Sequence, residues 1–182
     1  MKTIILTLMM TISFNLFAAT PSLKFTGYKF TEKAGVSGTF KKIEWKYNQK
    51  ASSFDEKLKG ANVKIDSYSV DAGNSARNTN ITNSLFKNWG DRYILGEVKS
   101  INLKSQNVII AMSVGDNKFE VPFKISQTKK SLTLKGRLDL LKLGFAKAFG
   151  VLSKTCAGLH TGKDGVSKTS VSYTHLTLPT TP

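Results

Sequence analysis

Cys156 and His160 have the clearest capacity for chemistry, and they lie four positions apart. A thiol near an imidazole suits a cysteine nucleophile or part of a metal site. A four-coordinate metal needs more ligands, and the only other histidine is His175. A lone cysteine in an exported protein can also form an intermolecular disulfide. Three interpretations stay open: a redox or metal-handling site, a homodimer contact, or a buried thiol in a structural loop.

The acidic residues form no catalytic set. Asp66, Asp71, Asp139 and Asp164 are scattered among predicted strands and turns, whereas general acid–base catalysis needs convergent carboxylates or a poised histidine. The run GKDG at 162–165 lacks the glycine spacing and the Lys-Ser/Thr ending of a phosphate-binding loop. We therefore predict a protein that is not an enzyme and has no catalytic residues, cofactor or metal site.

The protein is strongly basic. The 182 residues include 27 Lys and Arg against 12 Asp and Glu, which gives a net charge of +15. Only three of the basic residues are arginine, the side chain that most specific nucleic-acid readers use. We therefore predict no nucleic-acid partner. The lysines indicate a solvated surface or, as an alternative, an interaction module that docks on an anionic membrane by peripheral contact.

The N-terminus has the pattern of a secretory signal peptide. Lys2 precedes an apolar run over residues 4–17, and the small residues Ala18 and Ala19 follow it. The run is shorter than the roughly 20 apolar residues of a membrane span. We predict a signal peptide over residues 1–18 and a periplasmic or secreted protein of a Gram-negative bacterium.

The C-terminal segment differs in composition from the rest. Residues 171–182 (VSYTHLTLPTTP) contain no acidic, lysine or arginine residue. We interpret this segment as a sequencing or vector artefact. The folded domain is then expected over residues 19–170, with its natural C-terminus missing.

Alternation of apolar and polar residues dominates the chain and predicts antiparallel strands with one buried face. Seven strands are expected over residues 23–30, 36–47, 61–70, 92–103, 107–114, 118–126 and 131–140.

The pattern turns helical in two places. Residues 74–89 predict an irregular helix capped by Asn74 or Ser75, because Ile81, Leu85, Phe86 and Trp89 share one helical face. Residues 141–152 predict a short helix or turn, and residues 153–170 a loop.

This order of elements predicts an all-β fold, an antiparallel up-and-down lipocalin-like barrel. It has an inserted helix after strand 3 and a short helix after strand 7. Such barrels usually close with an even number of strands, typically eight. We therefore expect the last strand to be missing, which would leave two unpaired edges.

Four stretches, taken in order, resemble the YceI-like family of exported, lipocalin-like proteins. They are an opening hairpin with Gly-x-Phe (25–40), a strand leading into an Arg-bearing helix (63–85), a Gly-x-hydrophobic-Asp strand with its helix (132–149), and a Cys…Leu-His…Gly-Lys-Asp-Gly loop (156–165). One departure is Asn78, which stands where the family usually has an aspartate after the helix arginine.

The resemblance implies an eight-stranded barrel with a long apolar pocket that binds polyisoprenoids, long-chain amides or similar lipids. On this basis we expect a lipid as the bound ligand and Arg77 and Asn78 at its headgroup. Leu85, Phe86 and Trp89 would close one mouth, so that Trp89→Ala should change lipid uptake more than stability. The predicted pocket residues are Phe25, Phe40, Ile65, Leu85, Phe86, Trp89, Ile94, Met112, Phe119, Val121, Phe123 and Leu134. Without the resemblance, a filled core explains these apolar residues equally well.

Overall fold

The computed structural model describes residues 22–48, 50–127 and 131–179, with backbone only for residues 54, 131 and 170–179. The predicted signal peptide and the last three residues of the predicted artefact lie outside this range. The strands are β1 (Ser22–Lys29), β2 (Ala34–Phe40), β3 (Ile43–Lys46), β4 (Asn62–Asp66), β5 (Val70–Asp71), β6 (Tyr93–Asn102), β7 (Asn107–Val114), β8 (Asn117–Gln127), β9 (Ser131–Gly136) and β10 (Thr169–Pro179). The α-helices are α1 (Phe54–Leu58), α2 (Ser75–Ser84) and α3 (Ala146–Thr155).

All ten strands belong to one antiparallel sheet in the order β3-β4-β6-β7-β8-β9-β10-β1-β2-β5. The two ends of this order meet, because β3 continues β2 and β5 continues β4 along the chain. Phe40 pairs with Val70, and Ile43 pairs with Ile65. Each of these two pairs of short strands therefore acts as one kinked strand, and the pairing forms a circuit of eight. The predicted all-β, antiparallel fold is confirmed.

The two kinks interrupt strands that the sequence pattern predicted as continuous. Asp66 accepts a hydrogen bond from the backbone N–H of Tyr68, and the Ser69 hydroxyl donates to the Asp66 carbonyl. The backbone N–H groups of Lys41 and Lys42 donate to the Ser69 carbonyl and hydroxyl. These local hydrogen bonds compete with the hydrogen bonds of the strand ladder. They bend the chain between β2 and β3 and between β4 and β5 at the same level of the sheet.

β10 lies where we expected no strand. Its backbone pairs with β1, as in Leu23 with Leu176, and with β9, as in Leu134 with Leu176. The two unpaired edges expected at this position are therefore absent from the described residues. Any sequence carries the backbone groups that make these bonds. The artefact interpretation of residues 171–182 thus stays a prediction.

The helices also differ from the predicted ranges. Asn74 caps α2 by accepting from the Arg77 N–H, but α2 ends at Ser84 and a 3-10 turn follows at Phe86–Asn88. α3 begins at Ala146, five residues after Leu141, because residues 141–144 form a turn that Gly144 ends at φ +86°. α3 therefore extends into the range predicted as a loop. In the described part of the chain, no helix is long and apolar enough to cross a membrane.

Two phenylalanine rings rest on glycines directly across the strand ladder. Phe25 pairs with Gly38, and a Cβ atom added at Gly38 would lie 2.5 Å from the ring carbon Cζ of Phe25. Phe123 pairs with Gly136, where the corresponding distance to Cε1 is 2.6 Å. Each ring thus occupies the space that a side chain on the neighbouring strand would need.

Candidate functional site

A cavity of about 390 Å³ lies between the barrel strands and the two longer helices. Pockets that hold small ligands have volumes of about 300–1,000 Å³ and mostly apolar walls. This cavity has the same character, with aliphatic and aromatic side chains from β1, β2, β4, β6 and β7 on its barrel side. The barrel is therefore hollow at this level rather than filled by its own side chains.

One face of α2 forms a wall of the cavity. Ala76, Arg77, Asn80, Ile81 and Leu85 line it, at the three- and four-residue spacings that place side chains on one side of a helix. The polar residues Arg77 and Asn80 precede the apolar Ile81 and Leu85, the last of which directly follows the helix. α2 therefore presents a gradient of polarity to the interior.

A second helical wall comes from α3 and the 3-10 turn after it. Leu152, Cys156, Leu159 and His160 line the cavity at similar spacing. Leu159 is also 64% exposed, so this wall reaches the surface of the protein.

The cavity runs along most of the length of strand β1. Leu23 and Lys29 both line it, and they are six residues apart on this strand. At about 3.3 Å per residue, the lined stretch is roughly 20 Å long. Leu23 is buried, whereas Lys29 is partly exposed at the other end. The cavity is therefore elongated and changes from apolar to charged along its length.

A smaller void of about 30 Å³ lies beyond the apolar end. Leu23, Ile65 and Met112 line both the cavity and the void and form the wall between them. The other residues around the void are apolar as well, apart from the indole N–H of Trp45, which has no hydrogen-bond partner in the described part of the chain. The void is therefore a short apolar extension behind one layer of side chains.

Most of the predicted pocket residues line these spaces. Ten of the twelve do so: Phe25, Phe40, Ile65, Leu85, Phe86, Trp89, Ile94 and Met112 line the cavity, and Phe123 and Leu134 line the void. Phe119 and Val121 line neither space, and their role in the ligand pocket stays a prediction. The Phe119 ring packs edge-on against Phe145 at 5.8 Å, and Val121 is only 2% exposed within the packed core.

Of the two predicted headgroup residues, one lines the cavity and the other is hydrogen-bonded outside it. Arg77 lines the cavity, whereas Asn78 does not. The Asn78 carbonyl oxygen accepts from the Ala72 N–H at 2.7 Å, and its amide donates to Asp71 at 3.3 Å. An asparagine makes both bonds because its amide carries an acceptor and a donor. Asn78 therefore anchors α2 to β5, and its assignment to the headgroup stays a prediction.

Cys156 and His160 are cavity residues that the pocket prediction missed. Burial raises the pKa of the Cys156 thiol. Burial and the nearby Lys29 charge lower the pKa of His160, whose Nδ1 lies 2.6 Å from the Thr169 hydroxyl. A protonated thiol is a poor nucleophile and a poor metal ligand. The geometry thus favours two neutral wall residues, which the apolar spacing of Leu152 and Cys156 could have indicated.

Metal-binding side chains are sparse here. Among the residues that the structure describes, no three His, Cys, Asp or Glu side chains are grouped so that they could hold a metal ion.

Trp89 belongs to a packed row of aromatic rings. Its ring centroid lies 4.6 Å from that of Phe86 and 5.5 Å from that of Phe145, and Phe86 in turn contacts Phe40 at 5.6 Å. The Trp89 indole N–H donates to the Asp91 carbonyl at 2.8 Å. With 9% exposure, Trp89 is a core residue as well as a cavity wall. This placement contradicts the expectation that it affects uptake more than stability.

Comparison with known proteins shows the fold. The chain matches no family model and no curated protein. It superposes on a polyisoprenoid-binding domain from Saccharophagus degradans, implicated in plant cell wall breakdown, with a TM-score of 0.60 and 13% identity over 91% of this chain and 97% of that one. It also superposes on BcnA from Burkholderia cenocepacia with a TM-score of 0.51 and 16% identity over 86% and 95% of the two chains. The three proteins share a fold.

Proposed function

We propose that this chain is a YceI-like protein that holds a polyisoprenoid or another long-chain lipid inside its barrel, without catalysis. The observation that carries this proposal is the elongated cavity, apolar from Leu23 onwards and charged at Lys29. A lipid has the same asymmetry. The polyisoprenoid-binding domain with the same fold supports the proposed ligand class.

The energetics favour a long tail over a short one. Burying a methylene group contributes about 0.8 kcal/mol, so ten of them contribute roughly 8 kcal/mol. Association itself costs about 4–15 kcal/mol in lost freedom and ordering. A tail of ten methylene groups thus offsets a cost in the lower part of this range, and each further methylene enclosed along β1 adds to the gain, whereas a tail of a few carbons offsets none of it.

The setting of this activity is part of the proposal. We propose a periplasmic or secreted location, a role in transport, storage or stress, and at most peripheral contact of the lysine-rich surface with membranes. The alternative, a redox or metal-handling role for Cys156 and His160, has less support, because burial keeps the Cys156 thiol protonated. Homodimer formation stays a prediction.

The test is mass spectrometry of an organic extract of the purified protein. Val36 lines the cavity, and the adjacent Ser37 is exposed. Val36→Trp should fill the cavity, whereas Ser37→Trp provides a matched control. We expect stoichiometric lipid in the wild type and in Ser37→Trp, and little in Val36→Trp. A folded wild type that carries no lipid and takes up no added farnesol, farnesoic acid or farnesyl phosphate would refute the proposal.

A further inference from the structure

We propose that the cavity selects lipids with an anionic headgroup, a phosphate or a carboxylate, and that Lys29 and Arg77 bind it. This inference rests on the proposed lipid-binding function and specifies the chemical class of the ligand. Both side chains line the cavity, from different walls: Lys29 ends β1, and Arg77 lies in the first turn of α2.

The charge of the lining is one-sided. The described residues around the cavity include one lysine and one arginine and no aspartate or glutamate. Four ion pairs occur among the described residues, including Arg92 with Asp66 and Lys41 with Asp71. No ion pair of Lys29 or Arg77 occurs within the described residues. A ligand anion at Lys29 or at the exposed Arg77 would therefore meet a cation with no competing carboxylate in the described lining.

One hydrogen bond holds Arg77 in place, and its other side-chain donors have no partner among the described residues. Its Nη1 donates to the Ala72 carbonyl at 2.9 Å, which is one of the five N–H bonds of a guanidinium. The remaining donors form the planar fork that matches carboxylate and phosphate oxygens.

The start of α2 adds to the attraction for an anion. Asn74 and Ala76 line the cavity beside Arg77, and the first turn of this ten-residue helix contains no acidic residue. The partial positive charge of a helix N-terminus favours an anion there.

Lys29 lies at the end of the cavity where a headgroup would be expected. Its ammonium is 4.6 Å from the centroid of the Phe30 ring, a cation–π contact that limits its freedom. His160 and Thr169, which also line the cavity, lie close to this end, since Lys29 pairs with Thr169 across the sheet. A tail that runs along β1 towards Leu23 would leave its headgroup among these polar residues.

The test compares three probes with the same tail: farnesyl phosphate, farnesoic acid and farnesol. Binding is measured at pH 8 by tryptophan fluorescence, since Trp89 lines the cavity, and checked by calorimetry. Charge-assisted hydrogen bonds predict that an anionic probe binds roughly 10- to 100-fold more tightly than the alcohol. A preference for the phosphate over the carboxylate, or the reverse, identifies the source of the anion.

The variants assign the effect to residues. Lys29→Gln and Arg77→Gln should each weaken binding of the anionic probes more than binding of farnesol, and so remove most of the preference for an anion. Lys24→Gln provides the matched control, because Lys24 is an exposed residue of β1 that does not line the cavity. Melting temperatures show that each variant is folded.

The outcomes separate the two proposals. If farnesol binds as tightly as both anionic probes, or if Lys29→Gln and Arg77→Gln keep the preference, the headgroup inference is wrong and the lipid-binding function stands. If none of the three probes binds to the folded wild type, both proposals are wrong.

Discussion

Replacing Met112 by alanine should lengthen the lipid tail that the barrel accepts. Met112 forms the wall between the cavity and the smaller void together with Leu23 and Ile65. It is unbranched and flexible. The substitution removes its γ-carbon, sulfur and terminal methyl group, so the two spaces would join.

The size of the effect follows from the volumes. The void of about 30 Å³ equals the share of one molecule in liquid water, which is room for about one methylene group. Together with the three removed heavy atoms, it accommodates about three to four additional carbons. At about 0.8 kcal/mol per methylene, a tail of matching length gains roughly 2–3 kcal/mol, or about 30- to 150-fold in affinity.

The assay is a series of saturated fatty acids from decanoic to octadecanoic acid, measured by calorimetry. The tightest-binding chain should be three to four carbons longer in Met112→Ala than in the wild type. Leu140→Ala is the matched control, because Leu140 lines the cavity but not the void. It should leave the optimum chain length unchanged. The same optimum in Met112→Ala and the wild type, with both folded, would refute the view that the void extends the cavity.

Three further predictions concern the scaffold. Asp66→Asn should lower the free energy of unfolding by about 1.5–3 kcal/mol, because Asp66 accepts two hydrogen bonds from Arg92, at 2.9 and 2.7 Å. The hydrogen bonds from Arg92 lower the pKa of Asp66 in the folded protein. The stabilisation by Asp66 is therefore complete above the pKa of about 3.9 in the unfolded chain, and it is lost as the pH falls through the pKa of Asp66 in the folded protein. A difference in urea unfolding between Asp66→Asn and the wild type that does not change with pH would contradict this prediction. Trp89→Ala should lower the free energy of unfolding by about 3–5 kcal/mol and therefore lower the melting temperature. A melting temperature equal to that of the wild type would show that the row of aromatic rings does not belong to the core. Cys156 is 6% exposed, so a thiol reagent should label it slowly in the native protein and rapidly in urea, and equal rates would refute its burial.

The sequence predicted the strands better than the points where they bend. Alternation marks a strand with one buried face, and β6, β7 and β8 follow it closely. The kinks after Phe40 and Asp66 were missed, because they depend on hydrogen bonds between Ser69 and a chain segment 27 residues away. Such bonds have no periodic signature.

The site was predictable where a periodic face coincides with the cavity. Leu85 and Phe86 were found through helical spacing, and they line it. Alternation also selected Phe119 and Val121, since it shows that a side chain points inwards but not whether that level of the barrel is hollow. Cys156 was missed as a wall residue because its reactivity, rather than its apolar character, guided the interpretation.

The contact between Phe25 and Gly38 means that a substitution at Gly38, which does not itself line the cavity, can change the volume of the cavity. A methyl group at Gly38 would lie 2.5 Å from the Phe25 ring, so the ring would have to swing into the interior, where the cavity has space. Gly38→Ala would thus reduce the volume without changing Lys29 or Arg77. Substitutions at such glycine positions would let related barrels differ in the size of the ligand they accept while the polar end of the cavity stays the same. The same substitutions offer a way to change the cavity volume by design.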